Sequence, residues 1–225
     1  MSKLKSVQSV EDTILEAQSL ARKYNREGWG SRATIMHVIY DLFETGISED
    51  AFVLICSIVD GFHASSSALY EDNDDGRRQR GHGITACGAL SGALAAFAMV
   101  FGQKEYPFPF WTEGMKPNGW ITRVMNDPNS TPKTMAESFI DHSRPLGYGG
   151  YFHIVSRFKE HFGTTDCLDL VKPFGHYVTH QCFKNCHKII IWTAGMAAKI
   201  ILEYDNAPDS FNIDNRNPHL FILKD

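Results

Sequence analysis

Residues 84–102, "ITACGALSGALAAFAMVFG", carry no charged side chain and would place Ala, Gly, Ser and larger apolar residues on every side of a helix. A surface helix keeps a polar stripe. One that is apolar all round belongs in the centre of a bundle, where small residues let neighbouring backbones or a bulky group come close. Gly102 is placed to end this helix. Cys87 falls in its first turn, where unpaired N–H groups and the helix dipole favour a thiolate.

Such a helix needs others around it, and the flanking sequence supplies them. Ser9 with Asp12 makes a capping start, and Ile14, Leu15, Ala17, Gln18 and Ala21 keep a helical stripe as far as Tyr24. Residues 31–44 repeat the pattern with Ile35, Val38, Ile39, Leu42 and Phe43 on one side, and Gly46 stands where a C-cap glycine belongs. Ser48 caps a third helix, "EDAFVLICSIVDGF", whose first turn holds Glu49 and Asp50 where the dipole favours them. A polar loop from about Ala64 to Gly83 carries a charge run from Glu71 to Arg80, which reads as a solvated segment.

Beyond the central helix, residues 103–131 hold Pro107, Pro109, Pro117 and Pro128 among aromatics and read as a long irregular insertion. Thr131 and Pro132 open a short helix. Then come "GGYFHIVSRFKEHFG", a short "TTDCLDLVK" and a long final helix from about His176 to Tyr204. Residues 205–225, with Asn and Pro throughout, read as an irregular tail. The expectation is an all-α helical bundle forming a single domain over residues 1–225.

Composition excludes several classes of function. With 43% apolar and 21% charged residues and a net charge of −4, the chain has no electrostatic footprint for nucleic acid. No stretch approaches the roughly 18 apolar residues that cross a bilayer. The opening "MSKLKSVQSVEDTILEAQ" lacks an export signal, so the expected address is the cytoplasm, without membrane attachment. Thiols stay reduced there. Cys56, Cys87, Cys167, Cys182 and Cys186 therefore read as ligands, redox thiols or buried small residues rather than a disulfide frame.

The densest cluster is "HQCFKNCHKIII", residues 180–191. On a helix Cys182 and Cys186 are i and i+4, so both thiols share one face. His176, His180 and His187 form a separate stripe about 100° away, which reads as a polar face with His187 pointing elsewhere. The pair reads as half of a metal–thiolate site or as a redox dithiol. A c-type haem attachment needs Cys-x-x-Cys-His, and the spacer here is one residue longer. Cys56, in the apolar "VLICSIV", reads as a buried small hydrophobe. Cys167 follows Thr164 and Thr165 in a helix-opening context. "GHG" at 81–83 and "GYGG" at 147–150 are too short for a nucleotide site, and no catalytic triad is present.

Three motifs in order carry a resemblance: Cys87-Gly88-Ala89 with Gly92, Phe162-Gly163 with Cys167, and "CHKIIIWTAGMAAKIILE" from Cys186. Together they resemble the C_GCAxxG_C_C family of redox-active proteins, related to the iron–sulfur part of split-Soret cytochromes c. The likeness covers roughly residues 28–102 and 155–204. It places Cys87, Cys167 and Cys186 on three family cysteines. The fourth is expected early in the second helix, where Ser31, Arg32 and Ala33 stand instead; Ala86 also replaces a family Gly. Cys182, one turn from Cys186, is the expected replacement, with Cys56 or His187 as the substitute ligand otherwise.

The resemblance implies a helical domain with its cysteines gathered at one end, a [2Fe–2S] cluster rather than [4Fe–4S], and a homodimer or a subunit of a larger complex. The expected function is an iron–sulfur electron carrier or accessory redox subunit, rather than a stand-alone enzyme, that serves a redox partner protein. Its ligands would be Cys87, Cys167, Cys182 and Cys186. The alternatives are a dithiol–disulfide oxidoreductase using Cys182 and Cys186, with Cys87 as a low-pKa attacking thiol, and a non-catalytic helical subunit holding zinc or haem. In the latter, "EYPFPFWTEGMKPNGW" would cover a partner or a cofactor edge.

Overall fold

A computed structural model of the chain describes residues 4–6, 9–67, 70–72, 78–80, 86–102, 109–131, 134, 138, 148–174 and 179–211. Its helices are α1 (Val10–Arg26), α2 (Ser31–Leu42), α3 (Glu49–Ser67), α4 (Gly88–Phe101), α5 (Pro109–Met115), α6 (Trp120–Asn126), α7 (Tyr148–Phe162), α8 (Cys167–Val171) and α9 (His180–Asn206). The architecture is all-α. No described helix is long and apolar enough to cross a membrane.

Of the sequence 84–102, the described residues 86–102 do form the centre, with α4 at their heart. Helix α4 packs on α2, α9 and α7, while α1 closes the bundle against α9 and α2. The small residues act as foreseen. A Cβ added at Gly92 would stand 2.7 Å from the Arg32 carbonyl oxygen and 2.9 Å from Arg32 Cα, so α2 lies directly on the α4 backbone. One turn earlier, a Cβ at Gly88 would come within 2.2 Å of Ser31 Oγ. The opening turns of α2 and α4 are thereby pressed together. At the other end Phe97 fills the space over Gly150 of α7 and meets Tyr151 and Tyr204 edge-on, with ring centroids 5.1 and 5.2 Å away.

Local signals explain most of the helix ends. Ser9 Oγ accepts the Asp12 N–H at 3.0 Å, which satisfies an otherwise orphaned donor at the start of α1. The buried face of α1 is Thr13, Ala17, Ala21 and Tyr24, whereas Leu15 is exposed. The stripe is thus set by small residues that admit α9 rather than by the largest ones. Thr179 Oγ1 caps α9 by accepting the Cys182 N–H at 3.1 Å. The helix therefore begins at His180, and His176 lies outside the described residues. Gly46 has φ +66°, the left-handed region, but stands beyond the extended C-cap Phe43 instead of at the helix end itself.

Three expectations change. The segment read as a polar loop contains the end of α3 and two three-residue strands, β1 (Tyr70–Asp72) and β2 (Arg78–Arg80), paired antiparallel. In the register Asp72 stands opposite Arg78. The stretch 103–131, expected to be irregular, holds α5 and α6, which pack on one another. Pro109 suits the first position of α5, where its missing N–H costs nothing. Of the tail, Pro208–Ser210 forms a single 3₁₀ turn and Phe211 is buried against His153 and Tyr204. Residues 81–85, 132–133, 147 and 212–225 are outside the described set, and with them "GHG", Pro132 and the rest of the tail.

Candidate metal–thiolate site

Cys87 is the N-cap residue of α4, and Cys167 is the first residue of α8. Ala86 and Asp166, the residues just before them, form an antiparallel bridge, and the Cys87 N–H donates to the Thr165 carbonyl at 2.9 Å. Asp166, rather than the threonines, caps α8 by accepting the Leu168 N–H at 2.7 Å. Two helix openings distant in sequence are thus tied side by side, each with a buried thiol.

Helix α9 brings the second pair. Cys182 Sγ and Cys186 Sγ are 4.0 Å apart, in contact but far from the ~2.05 Å of a disulfide bond. Cys182 is fully buried with Cys167 and Val171, and Cys186 packs against that group. All the cysteines are free thiols.

Cys87, Cys167 and Cys186 line one cavity of about 360 Å³. Cys182, one turn below Cys186, is not on its wall. Cys56 belongs to the main core on α3 and, like Cys182, does not line the cavity. His187 differs from expectation. It lines the same cavity as the thiols, because the cavity wraps around α9 far enough to reach the next stripe of residues. Its Nδ1 is 2.6 Å from Asn25 Oδ1. A carbonyl oxygen accepts, so the ring carries its proton on Nδ1 and leaves Nε2 with a lone pair. His180 instead borders a neighbouring cavity of about 490 Å³ with Lys184 and Lys188.

Burial controls the thiols. It raises Cys87 to about 11 and outweighs the Leu90 and Ala89 N–H groups that donate to its sulfur and the charge of Arg32, which pull the other way. Cys186 is pushed up to about 12, by burial first and then by its neighbours Cys182, Cys167 and Cys87. Burial also raises Cys182. The expected low-pKa attacking thiol at Cys87 is therefore not found: the dipole acts as anticipated, but desolvation is larger. His187 is lowered, by burial first and then by Arg26 and Arg22, which keeps its ring neutral.

Among the described residues, no group of three or more His, Cys, Asp and Glu side chains is arranged around one point to hold a single metal ion. Two of the thiols, those of Cys182 and Cys186, do stand in contact at 4.0 Å. Two thiolates on one tetrahedral metal with bonds of about 2.3 Å stand about 3.8 Å apart, close to the Cys182–Cys186 separation. Sequence reasoning missed Asn25, Trp29 and Phe183, which also line the cavity; Ser31 and Arg32 stand where a family cysteine was expected, Ser31 on the cavity wall and Arg32 buried with its charge reaching Cys87. "GWGS" at 28–31, a tight turn into a helix, was the available signal.

No protein-family model, curated protein or solved structure matches the chain, so the family resemblance stands on the quoted motifs alone.

Proposed function

We propose that the chain is an iron–sulfur electron-transfer protein or subunit, with Cys87, Cys167, Cys182 and Cys186 as the thiolate ligands. One observation carries the reading: Cys87, Cys167 and Cys186, from three different helices, border one cavity, with Cys182 in contact behind Cys186. A [2Fe–2S] cluster takes four cysteines, two on each iron, so it calls for two pairs rather than one ring of ligands. In this reading Cys182 and Cys186 would hold one iron and Cys87 and Cys167, whose helix openings are tied together, the other. When bound, such a cluster supplies one-electron transfer. The protein's part is to hold the thiols, shield them from water and direct backbone N–H groups at sulfur, as Ala89 and Leu90 do at Cys87.

The reading extends to a cytoplasmic protein that works with a redox partner, as a homodimer or within a larger complex. Val53, Leu54 and Ile58 on α3 are exposed and form the apolar face that such a contact would cover.

Anaerobic purification with an ultraviolet–visible spectrum and a count of iron, zinc and acid-labile sulfide tests the proposal. Broad visible absorption with matching iron and sulfide supports it. A colourless protein with zinc points to a structural metal at the same thiols. A metal-free protein that loses two free thiols on mild oxidation moves the reading to the Cys182–Cys186 dithiol, which the 4.0 Å contact also accommodates.

A further inference from the structure

Helices α1 and α9 run antiparallel: Asn25 Oδ1 meets His187 Nδ1 at 2.6 Å, while Ile14 and Gln18 lie over Gly195. The parts that meet near the thiols carry one sign of charge. No acid occurs between Ala17 and Arg26 or between His180 and Lys199, whereas Arg22, Lys23, Arg26, Lys184 and Lys188 occur there. From α1, the charges of Arg22 and Arg26 reach His187. From α9, Lys184 and Lys188 border with His187 the cavity of about 490 Å³. These two arginines and two lysines are exposed, and none of them makes an ion pair among the described residues.

The fold accounts for only part of this cluster. Lys23 and Arg26 suit the last turn of α1, where the helix dipole favours cations. Lys184 and Lys188 have no such reason, because they stand toward the opening of α9, whose first turn holds no acid. Arg22 with Arg26, and Lys184 with Lys188, also set like charges one turn apart, which repel. The acids nearest in sequence or packing do not offset them. Asp166 accepts the Leu168 N–H at 2.7 Å, Asp169 accepts from Thr164 Oγ1 at 3.3 Å, and Glu27 forms no ion pair with Arg26. Among the cations stands Phe183, a 55% exposed ring that borders both this cavity and the thiol cavity.

We propose that this face docks the acidic surface of a partner protein, with Phe183 covered at the centre of the contact and Arg22, Arg26, Lys184 and Lys188 around it. The cations steer the encounter and fix its register, and the ring supplies apolar area that a partner can bury. A protein fits better than a nucleic acid. The chain as a whole is negative, at −4, so the rest of its surface repels a long polyanion, whereas a local acidic patch meets only the cluster. A small, charged and transient contact is also what electron-transfer partners use. That the partner exchanges electrons rests on the function proposed above; the docking face itself does not.

The test is fluorescence anisotropy of a labelled peptide, four repeats of Glu-Glu-Leu, titrated with chelator-treated, full-length protein. Binding is expected with a dissociation constant of roughly 100 µM or tighter in about 20 mM salt, and at least about tenfold weaker in about 200 mM. Lys188→Glu should weaken it about fivefold or more. Lys199→Glu makes the same charge change about three turns further along α9 and should weaken it less than about twofold. Phe183→Ala should weaken it about threefold. These side chains lie outside the core, and circular dichroism melts check that each variant folds. Absence of saturable binding, equal losses for Lys188→Glu and Lys199→Glu, or tighter binding of a twelve-nucleotide oligothymidylate than of the peptide overturns the proposal. Protein isolated without iron that binds the peptide sinks only the iron–sulfur reading; protein isolated with iron that ignores the peptide sinks only this one.

Discussion

Replacing Gly92 by alanine sets two known effects against each other at the contact that builds the site. In a loosely packed helix the change would stabilise the protein by about 1 kcal/mol, because alanine is the better helix former. Here the new Cβ would be 2.7 Å from Arg32 O, 2.9 Å from Arg32 Cα and 3.2 Å from Arg32 C. Favourable carbon contacts begin at about 3.5 Å, so α2 must retreat by roughly half an ångström or more. Main chain cannot swing aside as a side chain does. Overpacking of this kind costs about 1–3 kcal/mol, and α2 carries Ser31 and Arg32, so the cost would be felt at Cys87 as well. We expect a net loss of about 1–2 kcal/mol, or about 2–8 °C in melting temperature for a chain of this length. Gly88→Ala is the comparison, since its clash is with Ser31 Oγ, which can rotate; it should be the milder change. Urea unfolding followed by circular dichroism reads both. Gly92→Ala as stable as the parent, or more so, would refute the close α2–α4 contact and with it the account of how the cavity is formed.

Cys182→Ala should release iron while the fold survives, at a cost of about 1–3 kcal/mol for a small buried cavity; full iron and sulfide retention would show that Cys182 is not a ligand. In chelator-treated protein, burial makes folded Cys87 hold its proton more tightly (up to about 11) than an ordinary exposed thiol (9.0), so its stability contribution is complete below pH ~9 and is lost as pH rises through ~11. Stability should fall by about 2–3 kcal/mol across that window, and Cys87→Ala should flatten the curve. A pH-independent melting temperature from pH ~8 to ~11 would contradict the burial of this thiol. Leu54→Glu with Ile58→Glu should leave the melting temperature within about 2 °C of the parent but abolish dimers in analytical ultracentrifugation; dimers that persist place the interface elsewhere.

The fold was legible where one physical effect dominated. A charge-free run of small and apolar residues at 84–102 has few places to go except the middle of a bundle, and its helical part, α4, lies there. The cap at Ser9 was equally local and was read; the one at Thr179 was not, and the final helix was placed from about His176 rather than His180. The α1 stripe was read in part: Ala17, Ala21 and Tyr24 are buried as expected, but close contact with α9 leaves Leu15 outside and buries Thr13 instead. The two helices within 103–131 were hidden by prolines that turn out to begin or punctuate them. At the site, the cysteines were visible as residues but their company was not. Helical periodicity sent His187 away from Cys186, yet a cavity spans more than one stripe of a helix. Trp29 and Ser31 join it through a turn at Gly28, whose φ of +94° no periodicity reveals.

The raised thiols separate the two redox readings more sharply than geometry does. A nucleophilic dithiol needs a thiolate at neutral pH, and Cys87 at about 11 and Cys186 at about 12 hold almost none. Metal binding meets the same protons differently, because the metal displaces them on binding and the low-dielectric surroundings that disfavour a lone thiolate strengthen its attraction to a cation. Crowded sulfurs raise one another's pKa while they remain protonated, as Cys182, Cys167 and Cys87 do to Cys186. Around a shared positive centre the same crowding becomes coordination. Burial that raises these thiols works against them as attacking groups and favours the proposed role as ligands, and iron uptake by the proposed centre should steepen with rising pH as protons cease to compete.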